Sequence, residues 1–348
     1  MRSTANQQAK YYDFYALLAI FPALNFSGKR HLERSARAIP DHRRTPLLRI
    51  REAVDLVRLH GELVHADTLL LADLERTHSR VVGPVGTGLR ALRALRALDD
   101  PHTPSLETAL MHLDHDPSEW PAERDRDPRV LAIRSLIDDI IGILALDAPA
   151  LARLLEARRL VLEADLPSPV LVGVEADPDH RTSGDDEVWL RQVESLNDSD
   201  PRRLLSAVAM AWAVREVGWT ESPDLCVAAA LREIPSPAAG GDGESLVWLA
   251  AVLSGAADRS RNRLVGVDQG IARLSAALSG PRDRARTRVV DALCCRPLTT
   301  AAELAAGAGI SRKAAHDYLT RLAAAGLCHW RGARESGRVA IISGLIDA

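Results

Sequence analysis

The sequence predicts a mainly α protein: a helical N-terminal body over residues 1–280, then a winged helix-turn-helix over residues 281–348. Three observations carry that expectation. Helical periodicity runs through most of the first 280 residues, and β-branched runs bounded by turns are scarce there. Between residues 299 and 326 a helix, a glycine turn and a well-capped second helix follow one another, ahead of two short apolar runs around a polar tip. Charge is also segregated: residues 281–338 hold eleven Arg and Lys against five Asp and Glu, a balance of +6 in a chain of net charge −3.

In the body, the spacing of apolar residues predicts helices over 47–60, 62–78, 88–98, 128–146, 148–164, 187–196, 201–217, 223–233 and 243–278. Breaks fall at 99–127, rich in Asp, Pro and His, at 166–186, and at 235–242, where Pro235-Ser236-Pro237 and Gly240-Gly241 mark a loop. Residues 170–174 form a short β-like run without an evident partner. The Leu-Arg-Ala triplets from Leu89 to Leu98 drift around a helix of 3.6 residues per turn, which predicts a surface helix with a broad apolar stripe. Gly280-Pro281 marks the boundary to the C-terminal part.

There, Thr300 and Glu303 have the spacing of a capping box, Leu304 and Ala305 supply an apolar face, and Gly307 to Gly309 allow a tight turn before Ile310. Ser311 is placed to cap a helix over 312–325, with Ala315, Leu319 and Leu322 on one face and Arg312, Lys313, His316, Asp317 and Arg321 elsewhere. Gly326 ends it, and 327–331 and 338–342 read as two strands around a basic-tipped wing.

A module of this order with a basic excess predicts binding to double-stranded DNA. Ser311, Arg312, Lys313, His316 and Arg321 are the expected contacts of a recognition helix over 311–325, since Arg and Lys near its N-terminal end reach guanine edges first. Arg331, Arg334 and Arg338 in the wing, 327–342, are expected on the DNA backbone. A homodimer reading paired half-sites, with the body serving dimerisation, partner docking or effector sensing, follows from the same geometry. The competing reading is a winged helix used for protein docking.

Other motifs point to packing rather than chemistry. The glycines of 83–88 have phosphate-loop spacing, but Leu89-Arg90 stand where Lys and Ser or Thr belong. His112-Leu113-Asp114-His115-Asp116 reads as the frayed end of a helix. His60 and His65 are five apart, which does not align two metal ligands on one helical face; Glu62 and His65 are expected in hydrogen bonds at a helix start. Cys226, Cys294, Cys295 and Cys328 lack C-x-x-C spacing and are expected reduced, with Cys294-Cys295 inside a buried helix. The six tryptophans are expected in the core or at interfaces, and the aromatic tract 11–21 docked on the body or in a dimer contact. No catalytic constellation, metal site or cofactor is expected, and the absence of a signal or spanning segment predicts a soluble, cytoplasmic protein.

Gly61-Glu62-Leu63-Val64-His65 with Thr68 to Leu71, and the C-terminal helix-turn-helix with its short wing, resemble a bacterial family of unknown function, often plasmid-borne in alphaproteobacteria. Its members join a helical domain to a helix-turn-helix DNA-binding domain, which implies a transcriptional regulator of mobile or plasmid genes. Residues 61–71 are also distantly similar to the entry helix of Fic-type AMP-transferases. The Fic catalytic loop is absent, and 222–233 offer neither the histidine base nor the Asp and Arg in the required order, so that likeness implies a Fic-like scaffold that is inactive or divergent.

Overall fold

The computed structural model describes residues 32–74, 83–100, 105–114, 128–166, 202–219, 225–237, 242–279, 285–331 and 339–346. The protein is mainly helical. A helical segment 32–38 (α1) is followed by α2 (Asp41–Leu59), α3 (Ala66–Leu74), α4 (Gly83–Leu98), α5 (Leu106–Asp114), α6 (Pro128–Leu144), α7 (Ala150–Glu163), α8 (Arg202–Glu216), α9 (Val227–Glu233) and α10 (Asp242–Ala277). Then come α11 (Arg286–Cys295), β1 (Leu298–Thr300), α12 (Ala301–Ala308), α13 (Arg312–Ala324), β2 (His329–Arg331), β3 (Val339–Ile341) and α14 (Ser343–Ile346).

Helix α2 is the hub, packing on α3, α4, α8, α9, α10 and α11. Its start corrects the sequence reading, which places it at 47: the helix begins at Asp41 and carries Pro46 inside it. Proline has no N–H, so the His42 carbonyl one turn back loses its helical donor. The Cys295 thiol of α11 donates to that oxygen at 3.3 Å, so a partner from the C-terminal part repairs the break.

Helix α3 begins at Ala66 rather than 62. Gly61, at φ +93°, closes α2, with Glu62 N–H donating to Val57 O at 3.1 Å, and 62–65 are needed to turn the chain. Glu62 and His65 therefore precede the helix instead of opening it.

The glycine-rich stretch from Gly83 is the first turns of α4, five residues longer than expected at its N-terminal end. A Cβ on Gly88 would stand 3.0 Å from Leu69 Cδ1 and 3.4 Å from Val57 Cγ2, so glycine there permits three helices to close on one another. Nor is α4 a surface helix. Leu89, Leu92, Leu95 and Leu98 are all buried, because α2 and α5 take the drifting leucine stripe from different sides. Helix α5 itself lies in what reads as a break in the sequence; its nine residues hold His112 and Asp114, while His115 and Asp116 fall outside the described residues.

The body's centre contains a buried charge cluster. Cys226, at the start of α9, offers no side-chain cap, and Glu52 of α2 takes over, its Oε1 accepting from Ala228 N–H at 2.7 Å, while Ser260 Oγ accepts from Cys226 N–H at 2.8 Å. Arg263 of α10 lies between Glu52, 3.3 Å away, and Asp55. Burial raises the Glu52 carboxyl above the usual carboxylate range despite Arg263. Trp248 is likewise tied, its indole N–H donating to Ile234 O at 2.9 Å under the Arg158 guanidinium.

The C-terminal part packs directly on the body. Val289, Val290 and Leu293 of α11 share one buried cluster with residues of α2 and α10. Asp291 accepts from Arg43 and lies 3.1 Å from His42 Nε2, and Arg51 donates to Ile346 O. The three strands form one antiparallel sheet of order β1-β3-β2, with Leu298 opposite Ile341 and His329 opposite Ile341 on its other side. Strand β1 escapes the sequence reading, and β2 and β3 are shorter than 327–331 and 338–342. No helix among the described residues is long and apolar enough to cross a membrane. The expected run 170–174, helix 187–196, aromatic tract 11–21, Trp120 and Trp189 lie outside the described residues.

Candidate nucleic-acid interface

Two helices of this surface are built by the caps that their sequence encodes. Thr300 Oγ1 accepts from Glu303 N–H at 3.2 Å, and Glu303 Oε2 accepts from Thr300 N–H at 2.8 Å, a complete capping box that starts α12 against β1. Gly309, at φ +62°, closes α12 in the left-handed conformation, and Ile310 N–H reaches back to Ala305 O. Arg288 of α11 donates to Gly309 O at 3.4 Å and steadies the turn. Ser311 Oγ then accepts from Ala314 N–H at 3.2 Å and starts α13. Gly326, at φ +70°, ends it.

With those ends fixed, α13 divides into two faces. Ala315, Tyr318, Leu319 and Leu322 are buried, while Arg312, Lys313, His316, Asp317, Thr320 and Arg321 are exposed. The expected residues Ser311, Arg312, Lys313, His316 and Arg321 therefore share one solvent-facing side. Arg321 lies 4.6 Å over the Tyr318 ring, which limits its freedom. His316 stacks on Trp330 of β2 at 5.7 Å between ring centroids, with Thr320 Oγ1 at 3.4 Å from its Nδ1, so the strand end and the helix face are tied together.

Arg331 is exposed at the end of β2, but it donates to Asp67 Oδ2 of α3 at 3.1 Å. It thus stands apart from the helix face and faces the body. Arg334 and Arg338 lie outside the described residues. Thr320 escapes the sequence reading; its signal is the four-residue spacing from His316, which puts both on one helical face.

The cysteines serve packing. Cys226, Cys294 and Cys328 are buried, and burial pushes the thiols up to about 11, about 12 and about 11 respectively. Cys295 differs from the expectation: it is exposed, at the last position of α11. Among the described residues no group of three or more His, Cys, Asp or Glu is placed to hold a metal ion. Compared with known proteins, the chain matches no family model and no curated protein.

Proposed function

We propose that residues 281–348 form a winged helix-turn-helix and that the chain binds double-stranded DNA sequence-specifically as a transcriptional regulator. The observation that carries this reading is the two-faced α13: a fully buried apolar side and an opposite side carrying Arg312, Lys313, His316, Thr320 and Arg321. A helix of this kind, capped at the end that enters a major groove, suits direct readout by Arg and Lys. The antiparallel pairing of β2 with β3 supports a wing between them, in which Arg334 and Arg338 would meet the phosphate backbone. The helical body would then bring two copies together on half-sites roughly 34–36 Å apart.

The test is binding of the full chain to DNA flanking its own gene against unrelated DNA at two salt concentrations. The expected outcome is preference for its own DNA, with affinity falling steeply with salt as counterions return to the phosphates. Arg312→Ala with Lys313→Ala should reduce that preference, at ~1–3 kcal/mol for each base-reading side chain removed. Undiminished preference in the double variant removes α13 as the reading helix, and salt-insensitive binding to another protein in place of DNA favours a docking module.

A further inference from the structure

Helix α10 is covered on only part of its circumference. Trp248 and Arg259 reach Ile234 and Glu233 at the end of α9, Arg263 reaches α2, and Ala250, Ala257, Leu264 and Ile271 are buried. Between these flanks one strip along the helix stays open. Val247, Ala251, Asp258, Val265, Asp268 and Ala272 on it are exposed, and Ser254 and Arg261 are half-buried. Val247 and Val265 are 47% and 46% exposed and lie about five turns apart, so they point the same way. From Val247 to Ala272 the strip advances by alternating steps of four and three residues, the spacing that keeps a seam against a second helix. At 1.5 Å per residue that seam is about 38 Å long.

The charges on the strip say what covers it. Beside its centre, Arg259 is taken by Glu233, and Arg263 by Glu52 and Asp55. On the strip itself, Asp258 has no partner among the described residues, and Arg261 touches only the Asn262 carboxamide, at 3.4 Å. An acid and a base three residues apart, neither satisfied within the chain, complement each other in a second copy that runs the opposite way.

We infer that α10 is a dimerisation helix, on which a second copy of this chain lays its own α10 antiparallel about a two-fold axis between residues 259 and 260. That register sets Asp258 opposite Arg261 of the second copy, Ser254 opposite Val265, Ala251 opposite Asp268 and Val247 opposite Ala272, each contact occurring twice. The alternatives waste the charges. Slipping one copy by a heptad sets Asp258 on Ser254 and Arg261 on Ala251, or else Asp258 on Asp268 and Arg261 on Val265. Parallel pairing in register brings Asp258 onto Asp258 and Arg261 onto Arg261. The valines supply apolar burial, the small side chains let the two backbones approach, and the charged pair fixes the register.

Ser279, just past α10, accepts from Arg286 of α11 at 3.0 Å, so each C-terminal part adjoins one end of its own α10. An antiparallel pair therefore carries the two C-terminal parts at opposite ends of the seam, related by the two-fold axis that paired half-sites require. That consequence rests on the function proposed above; the dimer itself does not.

The test is sedimentation equilibrium of the full chain without DNA. A dimer at micromolar chain concentration is expected. Arg261→Asp, which brings carboxylates together at the axis, should weaken dimerisation at least tenfold, as should Asp258→Arg, both while melting close to the parent. The chain carrying both substitutions restores the opposite charges and should dimerise within threefold of the parent. A monomeric parent, a dimer that both single variants leave intact, or a double variant as weak as the singles overturns the interface. Arg261→Asp should also bind the DNA flanking its own gene at least tenfold more weakly, and the double variant, with the parent's net charge, should recover. Unchanged DNA affinity in a dissociated Arg261→Asp chain overturns the link to half-site reading, and a chain that dimerises through α10 but binds no DNA overturns only the regulatory reading.

Discussion

A freed carbonyl and a thiol meet where the C-terminal part packs on α2. Pro46 breaks the α2 ladder at His42 O, and Cys295 repairs it from 253 residues away in a bond that no local pattern encodes. That is why the sequence places the helix start after the proline: a donor from a distant element makes an interior proline tolerable, and periodicity cannot see it. The same thiol is the exposed one. The buried Cys226, Cys294 and Cys328 are held at about 11 to 12, so at pH 8 they lack both access and thiolate. Burial raises Cys295 as well, but this residue is exposed. A disulfide-exchange reagent such as DTNB should therefore titrate one thiol in the native protein and four after denaturation. Rapid reaction of two or more in the folded state would contradict the burial described. Replacing Cys295 by Ala should cost ~0.5–1.5 kcal/mol through the orphaned His42 carbonyl, read as a lower denaturation midpoint.

At the scale of elements, legibility follows how local the determinants are. The ends of α12 and α13 are readable because Thr300, Glu303, Gly309, Ser311 and Gly326 act within four residues of themselves. Strand β1 is not, since three residues, Leu298 to Thr300, become a strand only by pairing with β3 about forty positions on. Helix α4 reads as a surface element because a leucine every third residue winds around the helix, and only the presence of both α2 and α5 buries every turn of it. From these packings the expected cost of Leu319→Ala, at a fully buried position, is ~2–5 kcal/mol. Ser311→Ala should cost ~0.5–2 kcal/mol through the missing cap. Gly88→Ala should also destabilise, because its Cβ must push Leu69 and Val57 aside. Urea denaturation midpoints check all three, and a neutral Gly88→Ala would show that α3 can shift freely.

The α11–α2 junction adds a dependence on pH with a definite sign. Partial burial works against the Asp291 charge, but hydrogen bonds from Arg43 and His42 outweigh it and hold its carboxyl below the usual value of 3.8. A depressed carboxylate stabilises the folded state above its unfolded value and loses that contribution as pH falls through the folded one. Asp291→Asn should thus lower the melting temperature at pH 6 and narrow its gap to the parent as the pH is taken below about 4. A gap that stays constant down to the acid limit would mean that the Asp291 charge does nothing at the junction.

At the scale of the molecule, one buried cluster of the described residues takes in side chains from Leu32 to Ile346, and α2 with α10 joins body to C-terminal part. The apolar faces of the body and of the C-terminal part are covered by one another. Helix α11 packs on both α2 and α10, and each apolar side chain of Val or Leu size that this contact buries is worth ~1.5–3 kcal/mol. The polar links at the seam count for less: Arg331–Asp67 is half exposed, at 52% and 34%, and pairs of that kind contribute ~0–1 kcal/mol. Apolar burial should accordingly make the two parts unfold together. Urea denaturation followed by tryptophan fluorescence, with Trp212 and Trp248 in the body and Trp330 in the C-terminal part, should give one transition that coincides with the loss of far-ultraviolet circular dichroism. Raising the salt should leave that single transition intact, since it screens the surface pairs and spares the buried cluster. Two separated transitions, with Trp330 reporting the earlier one, would mean that the seam is held by its ion pairs and that the C-terminal part is free to swing on the body.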